Sequence, residues 1–158
     1  MGKSLENTKG SVWALFLTAH AVMIEQVEAR LARAGLPALA WYDVLWGLER
    51  AEGGRLRMHE LAEKVVLSRS NLSRLVDRLE ETGLVERERS AEDRRGAFAV
   101  LTEEGKVMRR KMWPVYEACI REYFGSVLSD EEAKVLAEVL RRMLSAARRQ
   151  IAPAQAIT

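Results

Sequence analysis

Cysteine occurs once in this chain, at position 119, histidine twice, at 20 and 59, and proline three times in 158 residues. One thiol cannot close an intramolecular disulfide, which fits a reducing compartment. The two histidines and the cysteine have neither the spacing of a nucleophile and its base nor that of a metal cage, so neither an enzyme nor a metal or cofactor protein is expected. No uncharged apolar run approaches the roughly 20 residues of a bilayer span. The first ten residues hold no secretory core, so the expectation is a cytoplasmic protein with no membrane partner. A dominant charge sign is missing too. With 25 Lys and Arg against 23 Asp and Glu the net charge is +2, which neither demands nor excludes a polyanion.

What the chain does have is apolar material. Hydrophobic residues make up 48% and charged residues 30%, the balance of a chain that buries a core. Its length suits one domain with helical extensions.

Periodicity divides it further. Residues 11–34 carry apolar side chains at helical spacing over an unusually wide arc, including Val12, Trp13, Leu15, Phe16, Leu17 and Val22. Such an arc suits a helix that faces two partners, its own domain and a second subunit. Gly35 ends it, and Pro37 is placed to open a second helix over "PALAWYDVLWGLERA" with Tyr42 or Trp41, Leu45 and Leu48 turned inward. A brief extended stretch, "RLRM", leads to helices over "HELAEKVV" and "SRSNLSRLVDRLEETG". Ser68 is positioned to cap the latter and Gly83 to stop it.

After Gly83 the period becomes two: "LVERER" and "AFAVL" read as strands joined by the loop "SAEDRRG". Thr102 then caps a helix that carries Pro114 inside it, where a kink is expected. Ser129 with Glu132 forms a capping-box pattern opening the last helix, whose apolar seam runs from Val135 to Ala147. The expected architecture is mainly α (α+β): a winged helix-turn-helix with a two-stranded wing and long N- and C-terminal helices forming a dimerisation region. Its parts are a first helix within 1–36, the winged lobe at 37–101 (recognition helix 69–82, wing 84–101), C-terminal helices at 102–150 and a loose tail at 151–158.

In the helix after Ser68, the residues Leu72, Leu75, Val76 and Leu79 share one face by their spacing. Ser70, Ser73, Arg74 and Asp77 point away from it, with Asn71 and Arg78 on one flank and Arg69 on the other. Short hydroxyl side chains and an arginine let a helix enter a major groove, meet phosphate and take guanine bidentately. An ordinary solvated amphipathic face has the same look. Local charge does not decide, since residues 55–95 hold ten basic and nine acidic side chains.

Taken together, "ELAE", "LSRSNLSRLVDRLEETGLVER", the wing "EDRRGAFAVLTEEG" and the upstream "WYDVLWGL" resemble the MarR family of winged-helix transcription regulators. The resemblance spans about residues 36–110, in matching order. It implies a homodimer on a double-stranded, pseudo-palindromic DNA operator. It assigns groove contacts to Ser68, Ser70, Asn71, Ser73 and Arg74, with Arg69 and Arg78 beside them. It places Arg95 in the minor groove, with Asp93 orienting basic neighbours and Arg94 as an auxiliary phosphate contact. Two departures stand out. Val66 occupies a turn position where the family often has glycine, and Arg57 stands where a helix cap would be expected.

Four tryptophans, at 13, 41, 46 and 113, lie on three helices that meet in the resembled fold. They either fill the core or, with Phe16, His20, Tyr42 and Leu45, line a pocket for a small organic effector, His20 or Tyr42 supplying a polar contact. His20 reads otherwise as a helix residue packed beside Trp13 and Leu17, and Cys119 as structural. The overall expectation is a ligand-released repressor. The rival from another class is a winged-helix module that binds a partner protein rather than DNA.

Overall fold

The computed structural model describes residues 8–65, 69–89 and 96–151. In chain order they form α1 (Thr8–Arg33), α2 (Leu39–Glu49), β1 (Arg55–Arg57), α3 (Met58–Lys64), α4 (Arg69–Glu81), β2 (Val85–Arg89), β3 (Ala97–Leu101), α5 (Glu103–Tyr123) and α6 (Asp130–Ile151). The chain divides into two compact units, one through Ala118 and the other from Cys119.

In the first unit the three strands form an antiparallel sheet in the order β1-β3-β2. The wing is thus a hairpin widened by β1, the "RLR" stretch, whose Leu56 pairs with Ala99. On β2, Val85 lies opposite Leu101 and Arg87 opposite Ala99. Alternation sends Leu56, Ala99, Leu101, Val85 and Arg87 to one face. The four apolar members of that row are buried and join Val44, Leu45 and Leu48 of α2, Leu61 of α3, and Leu72, Leu75, Val76 and Leu79 of α4 in one core. Each fully buried leucine there contributes roughly 1.5–3 kcal/mol relative to exposure.

Helix boundaries follow from local chemistry. Gly83 adopts φ +74°, a conformation open to glycine at little cost, and this lets Leu84 donate its N–H to the Leu79 carbonyl and close α4. Gly35 closes α1 in the same way, at φ +68°. Pro37, expected as the first residue of α2, lies ahead of it. The helix starts at Leu39, after Ala38 in extended backbone and without a side-chain cap of its own. The missing cap comes from α1, where a Glu28 carboxylate oxygen accepts the Leu39 N–H at 3.0 Å. Arg57 likewise leaves α3 without an oxygen cap, and Glu60 folds back to accept the Arg57 N–H at 2.8 Å. Pro114 lies within the continuous helix α5.

α1 has two notable features. By length and mean hydropathy alone it reaches the minimum for a membrane-crossing helix, although its uncharged run, residues 10–24, is only 15 long. Packing is confined to its C-terminal part, where Val27 and Leu31 are buried, whereas Val12, Trp13, Leu15, Phe16, Leu17 and Val22 are exposed. His20 is exposed too, rather than packed.

In the second unit, Ser129 and Glu132 make both bonds of the capping box, at 2.9 and 3.2 Å. The α6 seam leaves Val135, Met143 and Leu144 exposed.

Candidate nucleic-acid interface and aromatic cleft

α3 and α4 form the helix-turn-helix, and α4 is fastened to the lobe by Leu72, Leu75, Val76 and Leu79. Burying that stripe forces the opposite side outward. Asn71, Ser73, Arg74 and Arg78 are exposed there. Arg69 and Ser70 open the helix, while the side chains of these two, together with Ser68, Val66 and the wing tip bearing Asp93, Arg94 and Arg95, lie outside the described residues.

Asp77, half-exposed on this surface, is held in an ion pair. It pairs with the Arg87 guanidinium of β2, whose Nη1 is also 3.4 Å from Glu80 Oε2 and whose Nη2 donates to the Ser73 carbonyl at 3.3 Å. The Arg87 N–H donates to Glu80 Oε1 as well, at 3.3 Å. Other acids of the lobe are similarly engaged, Glu60 at the start of α3 and Glu88 with Arg55 at 3.2 Å. A nearly balanced composition therefore conceals an uneven surface, because several acids are tied up in half-exposed ion pairs while Arg74 and Arg78 are exposed on α4.

The outer side of the sheet carries a second cationic feature. Arg55 and Arg57 lie over the Phe98 ring, 4.3 and 4.8 Å from its centroid, within cation–π range.

Of the eight residues expected around an effector, the structure brings three together. Tyr42 stacks with Trp46 and Trp113 at centroid distances of 6.4 and 6.0 Å and meets Tyr116 edge-on at 5.1 Å. With Asp43 and Arg109 they line a cleft of about 460 Å³ between α2 and α5. Leu45 is instead in the core, Trp41 packs against that core, and Trp13, Phe16 and His20 are exposed on α1.

Sequence reading missed Arg109, which lies 5.1 Å from the Trp46 centroid and pairs with Glu49 of α2. Its signal was present, since Arg109, Trp113 and Tyr116 fall at i, i+4 and i+7 on one helix face. Burial pushes the Tyr42 phenol above its ordinary pKa, with Arg109 pulling the other way. Burial raises the Asp43 carboxyl too, helped by the negative charge of Glu28. Among the described residues, no group of three or more His, Cys, Asp or Glu is placed to hold a metal ion. Cys119 is free and buried.

The pattern of the MarR family matches residues 34–96. The whole fold has close counterparts among solved structures. AbsC of Streptomyces coelicolor, a MarR family transcriptional regulator, superposes with a TM-score of 0.85 at 35% identity, over 93% of this chain and 99% of that one. The chain belongs to the MarR family. A second MarR regulator of Streptomyces coelicolor, whose structure is a complex with DNA, also gives a TM-score of 0.85, at 33% identity over 92% of this chain and 91% of its own. Among curated relatives, the transcriptional regulator PrsX of Escherichia coli is 35% identical over 105 residues, 66% of this chain. The match covers 62% of PrsX. These MarR relatives are regulators rather than enzymes, and the fold is the winged-helix form of that family.

Proposed function

We propose that this MarR family regulator works in the cytoplasm as a homodimer on a pseudo-palindromic operator. The lobe at 37–101 reads DNA and the helices on either side of it join the two subunits. α4 enters the major groove with Ser68, Arg69, Ser70, Asn71, Ser73, Arg74 and Arg78, and Arg95 of the wing enters the minor groove beside Asp93 and Arg94. The observation that carries this reading is the α4 surface, where Arg74 and Arg78 are exposed while Asp77 and Glu80 are matched by Arg87. The same charge arrangement weakens the rival reading of a protein-binding module, whose support was the balanced composition. The relative solved with DNA adds to the case.

Dimerisation is supported by the exposed apolar residues of α1, since a contiguous apolar surface of that kind marks an interaction site. Two recognition helices then meet successive major grooves when they lie about 34 Å apart. The regulation proposed is repression by occupying a promoter. A small aromatic anion in the cleft of Tyr42, Trp46 and Trp113 releases it by favouring a different spacing, as far as its affinity differs between the two states.

The test is binding to the duplex upstream of the protein's own gene, followed by fluorescence anisotropy across a salt series. Binding should weaken steeply with salt, and Arg74→Ala and Arg95→Ala should each reduce affinity about tenfold or more. Unchanged affinity in both variants would remove the assigned contacts.

A further inference from the structure

We infer that Arg87 is a positioning residue for DNA recognition, a clamp from the wing that sets the recognition helix in place and covers its acidic flank. The inference rests on the reading of α4 as the groove-entering helix. Ser73, Asp77 and Glu80 occur at i, i+4 and i+7, so they form one stripe along the side of α4. Arg87 meets all three: a carboxylate at Asp77, a carboxylate at Glu80 through both side chain and main chain, and the Ser73 carbonyl. Strand alternation is what aims it there, since Arg87 shares the inward face of β2 with Val85, which is buried in the core.

Two consequences follow from physics alone. A guanidinium forks, so one side chain fixes the helix at Ser73 and Asp77, four residues apart, and resists both rotation and sliding of α4 against the sheet. An ammonium has the charge but not the fork. Second, removing Arg87 leaves Asp77 and Glu80 uncompensated beside the surface that approaches phosphate, where their repulsion opposes binding. The contacts themselves are half-exposed, with the Arg87 side chain 28% accessible and its partners 49% and 43%. Pairs of that exposure contribute little to folding. Arg87 therefore matters more to recognition than to stability.

The experiment compares the full-length protein with Arg87→Gln, Arg87→Lys and Arg74→Ala, measuring affinity for its own upstream duplex and for a mixed-sequence duplex of equal length. A thermal midpoint is taken for each variant. Both Arg87 variants should lose discrimination between the two duplexes by about two- to fivefold. Arg87→Lys should keep its mixed-sequence affinity while Arg87→Gln weakens on both, and the midpoints should stay within a few degrees of the parent. Discrimination left intact in either Arg87 variant overturns the clamp, as does a midpoint collapse that parallels the loss of affinity. If Arg74→Ala also leaves both affinities unchanged, the assignment of α4 has failed. If Arg74→Ala weakens binding and the Arg87 variants do not, only the clamp has failed.

Discussion

Thr102 and Gly83 are joined across the base of the wing: the Thr102 hydroxyl donates to the Gly83 carbonyl at 2.7 Å while the same oxygen accepts the Gly105 N–H at 3.0 Å. One side chain thereby links the exit of α4 to the start of α5. The Thr102 N–H closes the junction on the Leu84 carbonyl at 3.3 Å.

This junction has no spare room. A Cβ on Gly105 would stand 2.2 Å from the Leu84 carbonyl oxygen and 2.6 Å from Leu101 Cδ1. Gly105→Ala must displace backbone, so a loss of about 1–3 kcal/mol or more is expected in urea unfolding. Thr102→Ala removes a cap and should cost about 1 kcal/mol. Gly125→Ala is the control, because its nearest neighbour would be 3.7 Å away. Equal stability of the Gly105 and Gly125 variants would contradict the tight junction.

Asp43 gives the clearest pH dependence. Its carboxyl is raised above 3.8, first by burial and then by Glu28, so the folded protein holds the Asp43 proton more tightly than the unfolded chain. The stabilisation from that proton is full below 3.8 and is lost as pH rises through the folded value. At neutral pH the ionised side chain is a cost that Asp43→Asn removes. The variant should melt higher than the parent at pH 7, and the difference should shrink as pH falls toward 3.8. A lower melting temperature for the variant at pH 7 would contradict this account.

The cleft can be probed with benzoate while tryptophan emission is followed. Trp46 and Trp113 both line it, so saturable quenching is expected. Arg109→Gln should weaken binding about tenfold, the effect of losing one charge-assisted hydrogen bond. A saturable signal unaffected by Arg109→Gln would place the carboxylate elsewhere, and no saturable signal would remove benzoate as a ligand class.

Much of this molecule was legible in the chain itself. The stripe Leu72, Leu75, Val76, Leu79, the switch to period two after Gly83, the Thr102 cap and the Ser129 box are set by neighbours within a few residues, and local periodicity records such relations directly. The order of strands and helices, and with it the family resemblance, follows from the same information. One departure involves a distant residue: α2 begins at Leu39 rather than Pro37, and its first N–H is capped by Glu28, eleven positions earlier.

The same division runs through the site. Sequence alone determined which residues of α4 turn away from the core, because one helix face must be buried whatever lies beneath it. It did not determine which of the outward residues remain open, nor which of the aromatic residues meet. Those depended on strand register and helix packing: Arg87 comes to Asp77 and Glu80 only when β2 pairs with β3 beneath α4, and Arg109 reaches Trp46 only when α5 crosses α2. Charge and spacing are properties of the chain, whereas the pairing of charges is a property of the fold, since it requires side chains far apart in sequence to be brought within a few ångströms.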